Sequence, residues 1–179
     1  MFHRSYLLKM KTLYVKYMNK FLMWLATSVF RSRTRIIYTN GNKYLLRVYL
    51  KNSGIFPGIY IHRFYDSDKD RFQHDHPWLN AVSLILCGKY KEERLNKDKK
   101  TSSFRELSPG KFNFIKSGDF HRVTLLEEPI WTLFVTWNRN SSWGFWDVEN
   151  QKFIPWEEYT KTHGNYVTDI DGNLTELYE

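Results

Sequence analysis

The sequence predicts an all-β barrel or sandwich preceded by one amphipathic helix, and three observations lead there. Aromatic side chains make up 18% of the chain and recur in short alternating runs, the pattern of half-buried strands. Glycine and proline turns cut the chain after residue 34 into short segments at close spacing, as sandwiches and barrels require. The first thirty residues lack this alternation and repeat apolar side chains every three or four positions instead.

At 179 residues the chain has room for one domain with a substantial core and an appendage. Charge divides it unevenly. Residues 1–65 hold twelve Lys or Arg and no acid, whereas residues 66–179 hold fifteen basic and nineteen acidic side chains. The basicity therefore belongs to the front of the chain. Cys87 is the only cysteine, which excludes an intrachain disulfide, fits a small buried packing residue and makes a reducing, cytoplasmic location the expectation. The longest uncharged run, Phe21 to Phe30, is ten residues, too short to span a bilayer as a helix.

From Tyr6 to about Phe30, Leu7, Met10, Tyr14, Met18, Phe21, Leu25 and Val29 form one stripe, with Lys9, Thr12, Lys16, Asn19, Lys20 and Thr27 opposite. Such a helix can pack on the β-body or on a second subunit as a homodimer. It can also lie on an anionic membrane surface, act as a presequence, or contact nucleic acid, the basic segment then extending through Arg35. A boundary falls near residue 33, giving a helix over 1–33, a barrel over 34–162 and a peripheral tail over 163–179.

Arg35 to Thr39 and Lys43 to Leu50 read as strands around Asn40-Gly41, a hairpin turn. Lys51 to Gly58 reads as a loop and Ile59 to Phe64 as the next strand. The acidic run Asp66 to Asp70 departs from a calcium loop, because Arg71 stands where the turn glycine is needed. Trp78 to Leu86 and Lys89 to Leu95 read as two strands paired through Cys87-Gly88. Phe104 to Leu107 and Lys111 to Ile115 flank Ser108-Pro109-Gly110. Phe120 to Leu126 and Ile130 to Trp137 are separated at Glu127-Glu128-Pro129, and a short helix starts at Pro155.

The chemistry centres on His74-Asp75-His76 and His121. In an extended segment positions i and i+2 share a face, so His74 and His76 project together and Asp75 projects oppositely. With His121 they form a candidate three-imidazole metal set that leaves coordination positions open. His62 is open to three readings: a fourth ligand, a hydrogen-bonding partner of the site, or a core residue. Glu92 and Glu93 read either as a solvated strand face or as groups reaching the metal, Glu93 being the candidate additional ligand. Arg122 points away by alternation, and His3 and His163 are peripheral.

These residues resemble the cupin superfamily. His74-Asp75-His76 matches the histidine pair of the first cupin motif, Gly88 its closing glycine, and Gly118-Asp119-Phe120-His121 the glycine-to-histidine spacing of the second. The surroundings, including Pro77-Trp78, Arg122-Val123, Trp131 to Phe134 and Trp143-Gly144-Phe145, are similar to a group of small cupins from phages and bacteria. The resemblance covers roughly Lys43 to Trp146 and implies a double-stranded β-helix, a jelly-roll barrel. Two departures stand out. Asn80 or Ala81 occupies the place of the usual glutamate ligand, and Lys116 the place of a proline.

Without that glutamate, the site looks like the three-histidine centre of the cysteine dioxygenase branch. The resemblance thus implies a divalent metal, Fe(II) first, with Zn, Ni or Mn as alternatives, and an oxygenase acting on a small, anionic substrate. Tyr60, Trp131 and Trp137 are the expected aromatic walls and Arg63 the expected cation. The competing readings are a non-catalytic cupin holding a sugar, nucleotide or other small ligand, and an interaction protein working through its basic helix.

Overall fold

The structure, a computed structural model, describes residues 2–52, 57–69, 72–139, 142–161 and 165–176. His163, Arg71, the middle of the Lys51 to Gly58 loop and the side chain of His3 lie outside the described residues.

Helix α1 (Phe2–Trp24) runs into a wide turn at Leu25–Val29 and a tight one at Arg31–Arg33. The strands that follow are β1 (Thr34–Thr39), β2 (Asn42–Lys51), β3 (Gly58–Phe64), β4 (Gln73–His74), β5 (Trp78–Leu95), β6 (Ser102–Leu107), β7 (Phe112–Lys116), β8 (His121–Arg139), β9 (Gly144–Asp147) and β10 (Lys152–Pro155). Helix α2 (Trp156–Thr160), capped by Pro155, leads to β11 (Tyr166–Asp169). Pairing is antiparallel throughout these elements, in the order β10-β9-β4-β8-β3-β2-β1-β11. Strand β5 lies against β8 along its length and carries β7 on its first part and β6 on its second. The sheet curls round a cavity. Strand β11, within the stretch expected to be a peripheral tail, adds an edge to β1.

Two expected breaks are absent. Neither Cys87-Gly88 nor Glu127-Glu128-Pro129 is a turn, because β5 and β8 each run on as one strand through these residues. Instead the two sites face each other, and the register slips between Ile85 and Tyr90. An irregularity of this kind bends a strand without ending it. Gly88 sits at φ +79°, and a Cβ there would lie 2.5 Å from the Pro129 carbonyl oxygen and 2.6 Å from that of Glu127. The glycine signal was genuine, but it marks close backbone approach at a bend.

Alternation then sorts the side chains. Arg47 lies opposite His62, and Tyr49 opposite Tyr60, on β2 and β3, and these side chains face inward. Tyr49, Tyr60, Trp78, Ala81, Ile115 and Phe134 form the core within the barrel. Leu46, Val48, Ile61, Cys87 and Trp131 face outward and pack with Leu22 and Ala26 beneath the helix. Burying a leucine such as Leu22 contributes about 1.5–3 kcal/mol.

The helix meets the sheet through a face that overlaps the expected stripe only at Met18 and Leu25 and is otherwise rotated from it. Val15, Met18, Leu22, Met23, Leu25 and Ala26 pack on the barrel, whereas Met10, Tyr14, Phe21 and Val29 are exposed. Asn19, expected on the polar side, accepts a hydrogen bond from the Trp131 indole N–H at 2.9 Å. Apolar residues are plentiful all round this helix, so periodicity alone could not choose the buried face.

Candidate metal centre

His74 ends the short strand β4, His76 follows it, and His121 opens β8, with His74 directly opposite His121. Their candidate ligand nitrogens all lie within 4.8 Å of one another. The Nε2 atoms of His76 and His121 are 2.9 Å apart. Asp75 projects the other way, as alternation requires. Its carboxylate accepts the backbone N–H groups of Gly144 at 2.8 Å and Gly118 at 3.2 Å. Burial pushes this carboxyl's pKa up, and the two N–H bonds oppose the rise. Asp75 thus ties the histidine segment to the loops on either side.

The tautomer of His121 follows from its other nitrogen. Nδ1 lies 2.7 Å from Glu92 Oε1; a carboxylate only accepts, so Nδ1 carries a proton and Nε2 is the nitrogen left facing the other histidines. Glu92 is fully buried. It also accepts from Arg105 Nε at 2.6 Å, Asn113 Nδ2 at 2.7 Å and Arg94 Nη2 at 3.1 Å. Burial alone would raise its pKa, but the bond to His121 and the two guanidinium groups outweigh it and hold the group well below the usual carboxylate range.

Burial keeps the imidazoles of His74 and His76 neutral. It lowers the pKa of His74 to about 4 and that of His76 well below the ordinary imidazole value. Neutral, convergent imidazoles with one outer nitrogen fixed by a carboxylate fit a divalent ion. Asn80 is exposed and Ala81 is buried without a ligand atom, so no carboxylate joins the set among the described residues.

The histidines open into a cavity of about 560 Å³. Its inner wall includes Arg47, Tyr60, His62, Trp78, Thr132 and Phe134. The indole nitrogen of Trp78 and the hydroxyl of Thr132 are buried there without a hydrogen-bond partner.

No family model matches the chain, and no curated protein matches it. Solved structures do resemble it. One is a cupin superfamily protein from Desulfitobacterium hafniense, 16% identical over 52% of this chain and 77% of that one, with a TM-score of 0.42. Another is an uncharacterized conserved protein with a double-stranded beta-helix domain from Klebsiella pneumoniae, 14% identical over 57% of this chain and 79% of that one, TM-score 0.45. A third is the hydroxypropylphosphonic acid epoxidase from S. wedmorenis, 15% identical over 57% of this chain, TM-score 0.45. This chain spans 55% of the epoxidase. Read from its own pairing, the fold is an antiparallel sheet curled into a barrel around a cavity, with one N-terminal helix outside it.

Within this barrel several expected site residues stand elsewhere. Arg63 and Trp131 face the helix: the guanidinium carbon of Arg63 is 5.8 Å from the Trp131 ring centroid, and Arg63 Nη1 donates to Met23 Sδ at 3.0 Å. Tyr60 and Arg63 are three apart on one strand and therefore point to opposite faces. Trp137 is partly exposed and, like Trp131, does not line the cavity. Tyr60 alone of the expected walls does so, and Arg47 is the cation beside it, Lys43, Lys69, Arg139 and Lys161 also lining the cavity.

Glu93 is likewise remote from the histidines, accepting from Arg122 Nη2 at 2.5 Å and Gln73 Nε2 at 3.0 Å. Its neighbour Glu92, far from being a solvated face, makes the contact with His121. His62 is outside the three-histidine set, because its Nε2 accepts from Arg47 Nε at 2.9 Å. Burial, then the Arg47 charge, holds its pKa well below the ordinary value, in keeping with a neutral acceptor. Cys87 is buried, and burial lifts its thiol to about 11.

Arg47, Trp78 and Thr132, which line the cavity, were not among the expected site residues, and Glu92 was left open between a solvated strand face and a group reaching the metal. Arg47 could have been found, since the hairpin register puts it opposite His62. That Glu92, and not Glu93, meets His121 depends on β5 continuing through Gly88.

Proposed function

We propose that this chain is a metal-dependent cupin in which His74, His76 and His121 hold a divalent ion, iron(II) foremost, and which oxidises a small anionic substrate. The convergence of the three imidazoles on one point, with the His121 Nδ1–H fixed on Glu92, carries the reading. Zinc, nickel or manganese would fit the same nitrogens, and imidazole alone does not select among them. Bound there, Fe(II) would supply a Lewis-acidic, redox-active centre with positions open to substrate and dioxygen.

The residues of the chain would do the rest. Three uncharged ligands leave the ion's double charge unneutralised, which favours an anion beside it. Arg47 would hold a substrate carboxylate, phosphate or phosphonate from the cavity wall, steadied by its bond to His62. The walls of Tyr60, Trp78 and Phe134 would exclude water, and the Trp78 N–H and Thr132 hydroxyl would fix the substrate's polar atoms.

The test is elemental analysis of untagged protein expressed in iron-supplemented medium, followed by oxygen-uptake screening over small carboxylates and phosphonates. One equivalent of iron with substrate-dependent oxygen uptake is expected. His76→Ala and His121→Ala should each lose stoichiometric metal while far-UV circular dichroism stays that of a β-protein. A full equivalent retained by both would sink the ligand assignment. Metal without oxygen consumption for any substrate that binds would favour the non-catalytic ligand-binding reading.

A further inference from the structure

The outward face of α1 carries Tyr6, Met10, Leu13, Tyr17, Phe21 and Trp24, spaced by three and four residues, so that they form one stripe. Each is 45–64% exposed. This is a second apolar stripe on the helix, separate from the one that packs on the barrel. Lys9, Lys16 and Lys20, also exposed, run alongside it, and none pairs with a carboxylate among the described residues. The stripe from Tyr6 to Trp24 is about 27 Å long at the helical rise.

We propose that this face docks on an anionic phospholipid surface, with the helix lying in the interface plane and the barrel held above it. Charge chooses the occupant. The first 65 residues contain no acid, so the lysine row beside the apolar stripe has no local competitor for lipid headgroups. A second copy fits less well, because packing two such stripes together brings lysine rows close with no carboxylates to offset them. A nucleic acid would use the lysines but would leave Met10, Leu13 and Phe21 in water. Tyr6, Tyr17 and Trp24 have the apolar body and polar tip that settle at headgroup level. No described helix is long and apolar enough to cross a membrane, so the contact is peripheral.

The test is co-sedimentation of the full chain with vesicles of phosphatidylcholine alone or with one quarter phosphatidylserine, at low and at physiological salt. Binding at least tenfold stronger to the anionic vesicles, and weakened by salt, is expected. Lys9→Glu, Lys16→Glu and Lys20→Glu combined should reduce it on the order of a hundredfold. Tyr17→Glu with Phe21→Glu should abolish it. These side chains are exposed, so melting temperature should hold, and a second pair, Met10→Ser with Leu13→Ser, gives an independent reading. No binding to anionic vesicles overturns the proposal. So does a solution dimer that Tyr17→Glu with Phe21→Glu dissociates, which would make a second copy the occupant, or binding to DNA or RNA in preference to lipid.

Discussion

The Glu92 carboxylate accepts the Nδ1–H of His121 at 2.7 Å, so the imidazole is held in one tautomer and one orientation from behind. Partners of this kind typically account for 10–100-fold in metal affinity. Glu92→Gln keeps the shape but removes the charge, and should weaken metal binding by about that factor, measured by chelator competition. Glu92→Ala should also lower stability, since Arg94 and Arg105 lose a buried counter-charge. Unchanged affinity in Glu92→Gln would show that Glu92 organises the two arginines and not the metal site.

Metal-free protein should lose stability as pH falls from 7 to 5. In the unfolded chain an imidazole titrates near 6.5, whereas burial puts His74 at about 4 and His62 and His76 well below the ordinary value. Between these limits the unfolded chain binds protons that the folded one does not, so stability is full above about 6.5 and is lost on the way down. Glu92 acts in the same direction, but only below its ordinary value of 4.5. Calorimetric melting of the metal-free protein should fall before carboxylates titrate. A flat melting temperature over pH 7 to 5 would contradict the buried, neutral assignment.

Gly88→Ala should destabilise the fold by about 2–4 kcal/mol, since it adds positive-φ strain and a clash with two backbone oxygens. Gly41→Ala, also at positive φ but with open space around it, should cost about 1 kcal/mol. Urea denaturation gives both values. Equal costs would mean that the bend at Gly88 can relax.

Arg47→Ala should weaken binding of an anionic ligand by tenfold or more, because it removes the cation that stands beside His62 on the inner wall. Arg63→Ala should leave that affinity unchanged and lower stability by about 1 kcal/mol through lost contact with Trp131 and Tyr65. Calorimetric titration with a ligand from the substrate screen distinguishes them. The opposite ranking would return the role to Arg63.

Local pattern sufficed for most strands and for the histidine set. His74 and His76 share a face because extended backbone alternates, and Asn40-Gly41 turns because both residues take positive φ. What failed was non-local. Gly88 and Pro129 each look like a turn on their own, and only their being opposite each other in a long pair makes them a bend. The same slip in register decides that Glu92, and not Glu93, faces the histidines. Arg63 and Trp131 were misassigned because residue type was weighed ahead of strand parity. The helix presented two apolar stripes, and which one the barrel covers depends on the sheet's outer face, written more than twenty residues later in Leu46 and Val48.

The unbroken pairing of β5 with β8 also bears on how the chain assembles. Its ladder closes at Arg94 and His121 and opens at Trp78 and Arg139, so the entropy lost in bringing partners together is least at the closed end. Zipping from there, with β6 and β7 between, brings His121 and Glu92 together early. His74 and His76, which precede β5, join only when β4 docks on the finished ladder. The nascent chain therefore holds one of its three candidate nitrogen donors in place before the other two arrive, and completion of the histidine set belongs to the last steps of folding.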